Sequence, residues 1–219
     1  MSNQNRLLII AITWAALFVL YSVNRFLLRS AFPHHFSKTV VSRVSTSSKP
    51  PGTILSKIGV LFVFVVNIAT VILLLADLLS SSTNQYTAFV KVNLPLCVNV
   101  GGSILFVLDT IFGFLAMVFN PNYTPLYTTP PQEFVLATQG PYQIIRHPRY
   151  AAAAVLNLAL FLFTGIWLPL LGMIGWIAIY FQSRAEENYL MTLAAKEYGE
   201  YRKRTSMFFP KLLRIHTVK

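Results

Sequence analysis

Gly140-Pro141-Tyr142-Gln143-Ile144-Ile145-Arg146-His147-Pro148-Arg149-Tyr150 stands at the polar mouth of an apolar run, 151–163, in a chain of 219 residues. Beyond Thr164-Gly165 a second apolar run, 166–181, leads to Glu186-Glu187. Each run is shorter than the roughly 20 residues an α-helix needs to cross a bilayer. Together they predict a helical hairpin with its turn near the far membrane face. Upstream, 7–28, 58–79 and 94–119 each reach spanning length, and the third is long enough to tilt or to extend beyond the bilayer. The reading is an all-α polytopic membrane protein of about five spans. A further helix over 183–204 places Leu190, Ala194, Tyr198 and Tyr201 on one face. Lys196–Glu200 and Glu200–Arg204 support it as opposite charges four residues apart. It reads as a cytoplasmic continuation of the fifth span that folds back over the site, ending at Phe208-Phe209-Pro210.

Composition agrees. The chain is 55% hydrophobic and 11% charged, against about 25% charged in soluble domains. Its 18 Lys and Arg face only 7 Asp and Glu, a balance that could suggest nucleic acid. The basic residues lie between the apolar runs, however, where control of topology explains them. With the N-terminus outside, segments 29–57, 120–149 and 182–219 hold 5, 2 and 8 of them, whereas the outer segments hold Arg6 and Lys91. That asymmetry puts the Arg-His-Pro string and the Glu pair on the cytoplasmic side. No nucleic-acid partner is expected. Segment 7–28 lacks a small-residue cleavage site and reads as a retained span. Segment 29–57 reads as a loop with little fixed structure. Residues 1–119 then supply three spans, and 120–219 the site region of one integrated membrane domain. A single cysteine, Cys97, excludes an internal disulfide and reads as a small buried hydrophobe.

Pro141 and Pro148 interrupt helix and bias the residues before them to extended backbone. Peptide groups between Gly140 and Tyr150 are thereby left for other partners, which at membrane depth requires burial or a cavity. A polar ligand could use them, with Tyr142, His147 and Tyr150 adding hydrogen bonds and stacking. The plainer alternative is an interfacial loop whose Arg146 and Arg149 meet lipid phosphates. Glu186 and Glu187 could likewise be a solvated helix end. Neighbours on a helix point about 100° apart, so one carboxylate faces a ligand squarely; Glu186, on the face of Leu190, is the expected one. His147 lacks companions at zinc-site spacing, so a metal is not expected, and donation to a ligand's anionic group is the better role. Asp109 sits mid-span and must be protonated, paired or turned to a cavity. Gly101-Gly102-Ser103 permits close helix approach.

Residues 120–210 resemble the isoprenylcysteine carboxyl methyltransferase family. The resemblance rests on Leu136-Ala137-Thr138-Gln139-Gly140-Pro141-Tyr142, Arg146-His147-Pro148-x-Tyr150, Glu186-Glu187-x-x-Leu190, Tyr198-x-x-Tyr201 and Phe209-Pro210, in the family's order. It implies S-adenosylmethionine bound on the cytoplasmic side and a lipophilic, prenylated type of substrate entering from the bilayer. It further implies cofactor contact through Phe134, Val135, Leu136 and Ala137, largely by backbone, and through Tyr142, His147, Pro148, Arg149, Tyr150 and Glu186. Three positions depart from the family's pattern: Phe134 where His is frequent, Ala152 where Gly is frequent, and Gln182 where a substrate-binding arginine is expected. Methyl transfer from a sulfonium requires donor and acceptor in line about 3–3.5 Å apart, with water kept away. A carboxylate acceptor is already ionised at pH 7, so it needs a cation rather than a base, for which Arg146 and Arg184 are the candidates. Two other readings are an NADPH-dependent membrane reductase of sterol-reductase type, which has a similar Arg-His-Pro-x-Tyr element, and a non-catalytic membrane protein that keeps the fold.

Overall fold

The computed structural model describes residues 1–23, 40–43, 54–79, 87–120 and 133–211. Among these, the helices are α1 (Asn3–Val23), α2 (Ile54–Leu79), α3 (Leu96–Val118), α4 (Pro148–Thr164), α5 (Leu168–Leu193) and α6 (Ala195–Arg204). Strands β1 (Val40–Arg43) and β2 (Glu133–Val135) form a two-stranded antiparallel ribbon. Helices α1, α2 and α3 are long and apolar enough to cross a membrane. The expected all-helical, polytopic architecture is therefore present, with the ribbon as its one addition among the described residues.

Several boundaries differ from expectation for local reasons. Helix α4 starts at Pro148 instead of Ala151 because proline fits the first helical position, where its missing N–H has no partner to lose. Helix α5 runs 26 residues without a break through the polar boundary at Gln182-Ser183. It ends at Ala194, whose non-helical backbone (φ −149°, ψ 54°) separates it from α6, so the expected single continuation to Arg204 is two helices. Residues 40–43, expected as loop, form β1. Residues 24–28 of the first expected span, and most of the 29–57 and 120–139 loops, lie outside the described residues. Cys97, expected to be buried, is exposed on the first turn of α3; in a span, an outward-facing thiol meets lipid and costs little.

Close backbone approach orders the bundle. A Cβ on Gly102 would stand 2.4 Å from the backbone nitrogen of Phe163, so α3 and α4 touch there, whereas Gly101 faces open space. On the other side, Gly59 of α2 and Gly175 of α5 meet with each carbonyl within 2.8 Å of the other's would-be Cβ. The hairpin turn is Gly165, at φ 73°, a left-handed conformation that glycine adopts without strain.

One end of the bundle is tied by polar contacts. Val92 N–H donates to the Gly165 carbonyl at 2.7 Å and Trp167 N–H to that of Val90 at 3.0 Å. Arg6 donates to Asn99 at 3.0 Å, and Lys91 pairs with Asp77. Ile10, Leu74, Phe106, Leu160 and Phe163 form the apolar core beside them. The opposite end holds the Arg-His-Pro string, the Glu pair and α6, on the same side of the bundle as each other.

Candidate active site

The string is built by three devices. Gly140 sits at φ 57°, with the Phe119 ring within 2.8 Å of where a Cβ would be, which only glycine permits. Pro141 then opens a 3-10 turn, Gly140–Gln143. From Ile145 the chain is extended beside the segment after α6: Arg146 N–H donates to the Ser206 carbonyl at 2.8 Å and His147 N–H to that of Met207 at 3.0 Å. The peptide donors expected to await a ligand at these two residues are thus satisfied by the chain itself.

Arg146 is buried in the joint. Its Nε donates to Glu187 Oε1 at 2.7 Å, and its Nη1 to the carbonyls of Thr205 and Arg202. Those carbonyls belong to the end of α6, where helical oxygens lack intrahelical donors, so Arg146 caps α6 and locks it over the string. Glu187, only 2% exposed, also lies 3.3 Å from His147 Nε2 and 3.7 Å from Arg202 Nε. Burial alone would raise its carboxyl; the hydrogen bonds and charges of His147 and Arg146 outweigh burial and hold it down to about 2. The more buried carboxylate is therefore Glu187, not the Glu186 that the helical face of Leu190 suggested. The reason is the docking of α6, which covers the Glu187 side of α5.

Glu186 keeps a quarter of its side chain exposed (26%). Tyr150 Oη donates to its Oε1 at 2.6 Å and Gln182 Nε2 donates to the same oxygen at 3.0 Å. His147 lies between the two carboxylates, its Nδ1 3.8 Å from Glu186 Oε2. Its ring stacks on Tyr150 at 5.7 Å and tilts against Phe208 at 5.8 Å. Trp176 completes the wall, touching Phe208 at 4.7 Å and donating its Nε1–H to the Tyr150 carbonyl at 3.1 Å. The result is a partly open carboxylate on an aromatic platform beside a buried, ion-paired one.

The other expected residues are divided. Tyr142 is half-buried; burial raises its hydroxyl's pKa, and that hydroxyl accepts from Asn120 at 3.3 Å. The Tyr142 carbonyl accepts from Tyr201 Oη at 2.6 Å. Pro148 is buried, and Arg149 is exposed at the start of α4. The backbones of Phe134 and Val135 pair in the ribbon with Ser42 and Val40. Leu136 is buried against Ala194, Tyr198 and Tyr201, and Ala137 is half-buried. Arg184 does not join the cluster: it is exposed, two residues and so roughly 200° round the helix from both Gln182 and Glu186. Gln182 stands in the sequence only as a departure from the family's pattern, Tyr201 and Phe208 only as a packed face and a helix end, and Trp176 and Thr205 carry no signal at all. The four-residue spacing of Gln182 and Glu186, which places them on one helical face, was the available signal for the first. Nothing local marks the rest.

The elements from α3 to α6 that build this cluster carry a family's signature. Residues 98–200 match the phospholipid methyltransferase family. It is a family of integral membrane S-adenosylmethionine-dependent methyltransferases related to the isoprenylcysteine carboxyl methyltransferases, so the resemblance read from the string holds. The match supports a membrane methyltransferase and spans both the Arg-His-Pro string and the Glu pair. No curated protein matches the chain.

Proposed function

We propose that the chain transfers a methyl group from S-adenosylmethionine to an amphiphile held in the bilayer, at the Glu186 cluster and on the cytoplasmic side. The observation that carries the reading is the partly exposed Glu186, fixed by Tyr150 and Gln182 next to His147, within the matched segment. These residues suit the cofactor. A carboxylate held by two donors keeps lone pairs for ribose hydroxyls or an ammonium, and the Tyr150–His147–Phe208 surface offers a face for an aromatic base. When bound, S-adenosylmethionine supplies a methyl group on a sulfonium, ready for direct displacement. The chain's part is positioning: Tyr150 and Gln182 set the Glu186 rotamer, and α6, clamped through Arg146 and Glu187, excludes water from the cluster. The charge asymmetry of the loops supports the cytoplasmic side.

The acceptor reading divides on a cation. Carboxyl O-methylation of an isoprenylcysteine-like acid asks for an arginine facing the cluster. Arg146 is engaged by Glu187 and Arg184 is exposed on another face of α5; Arg149, exposed at the start of α4 near Tyr142 and Tyr150, is the better placed cation to orient the acid. An amine acceptor, as on an amino-phospholipid, asks for no arginine, and the neutral Gln182 bonded to Glu186 favours it. In that case the amine must lose its proton before attack, and a carboxylate is the nearest base. The test is binding of S-adenosylhomocysteine and of NADPH to the detergent-purified protein, followed by turnover of farnesylcysteine against an amino-phospholipid. S-adenosylhomocysteine alone is expected to bind. Binding of NADPH alone would replace this reading with a reductase, and binding of neither would leave a non-catalytic relative. Loss of farnesylcysteine methylation in Arg149→Met, with S-adenosylhomocysteine binding kept, would identify the acid.

A further inference from the structure

At the end of the bundle away from the candidate active site lies a cavity of about 350 Å³, with Asn3, Arg6, Lys91, Asn93, Asn99 and Thr164 as its polar wall. That volume is at the lower end of the range for small-molecule sites, about 300–1,000 Å³. Its charges are unbalanced. Lys91 is paired with the buried Asp77, which also accepts from Thr87 at 2.8 Å. Among the described residues, no acidic side chain lines the cavity. Arg6 is held instead by two neutral amides, donating through Nη1 to Asn3 Oδ1 and through Nη2 to Asn99 Oδ1, each at 3.0 Å. Asn99 is itself fixed, its Nδ2 donating to the Leu162 carbonyl at 3.0 Å. A further donor, Arg6 Nε, is buried and without a hydrogen-bond partner among the described residues.

A guanidinium so positioned, partly desolvated and lacking an anion, is what a phosphate oxygen satisfies best, because its planar fork of donors matches phosphate geometry. The cavity also stands where α1 and α3, helices long and apolar enough to cross a membrane, begin, and lipid phosphates lie where such spans leave the hydrocarbon. We propose that this cavity binds a phosphate anion, free or as a lipid ester, with Arg6 as its principal ligand and Lys91 and Asn93 at its mouth. It is a second site, on the face opposite the Glu186 cluster, and independent of the methyl-transfer reading.

The test is calorimetric titration of the full chain in neutral detergent with dioctanoyl phosphatidic acid and, separately, with inorganic phosphate. Arg6→Gln removes the ligand charge. Asn93→Asp, at an exposed position, sets a repelling charge at the mouth and leaves the Arg6–Asn99 contact intact. Each is expected to weaken binding at least tenfold, with S-adenosylhomocysteine binding unchanged. Tight binding of the lipid with weak binding of inorganic phosphate supports a headgroup from the opposite leaflet; comparable binding of both supports a free phosphate. Affinities that neither variant alters, or no binding to the unsubstituted protein, overturn the proposal.

Discussion

Adjacent carboxylates on α5 carry different loads. Glu186 is open to a ligand, and Glu187 is a buried counter-charge for Arg146. Glu186→Gln is expected to weaken S-adenosylhomocysteine binding by about 1.5–3 kcal/mol, the range for hydrogen bonds to a charged group, with little change in melting temperature. Glu187→Gln is expected to do the reverse. It leaves Arg146 buried without its counter-charge, a loss of about 3–5 kcal/mol in stability, while the folded fraction still binds cofactor. Equal, small effects on binding would mean that the pair is only a solvated helix end. Glu187 also sets a pH dependence. Its carboxyl is held at about 2 against an ordinary 4.5, so its contribution is complete above 4.5 and is lost as pH falls towards 2. The loss is on the order of 3 kcal/mol. Thermal melts of the detergent-solubilised protein between pH 7 and 3 should show it, and the slope should flatten in Glu187→Gln.

At the scale of elements, spans are held by contact between backbones rather than by apolar side chains, because lipid solvates leucine as well as a neighbouring helix does. Gly101 and Gly102 separate the two effects. Gly102→Ala forces a methyl into the Phe163 backbone and is expected to cost about 1–3 kcal/mol, as overpacking does. Gly101→Ala meets nothing within 4 Å and should change stability by no more than about 0.5 kcal/mol. Melting of the two variants side by side checks it; equal losses would mean that the α3–α4 interface lies elsewhere. The same contrast shows what was legible. The pair Gly101-Gly102 marks a close approach from its composition, but which glycine faces α4 depends on how α3 is rotated in the bundle.

At the scale of the whole molecule, the start of α1, residues 87–95 and the α4–α5 turn share one end, and the Glu186 cluster occupies the other. Labelling of single cysteines introduced in a Cys97→Ala background should therefore report Ser2 and Thr83 together on the outer side, and Ser45 and Thr217 on the cytoplasmic side. An N-terminus labelled from inside would overturn the five-span arrangement and the cytoplasmic placement of the site. The amino-acid sequence by itself determined the spans, because the lengths of apolar runs must match the bilayer. It determined the hairpin, because Thr164-Gly165 stands between two half-length runs, and where the polar cluster gathers, because Gly140–Tyr150 and Glu186-Glu187 are polar groups at two adjacent mouths. Only the tertiary structure decided the contacts within that cluster. Arg146 finds Glu187 across 41 positions of sequence, and α6 turns back at Ala194 to bury one carboxylate and leave its neighbour open. Both depend on helix rotation and docking, which are settled by packing between distant segments and leave no mark in local spacing.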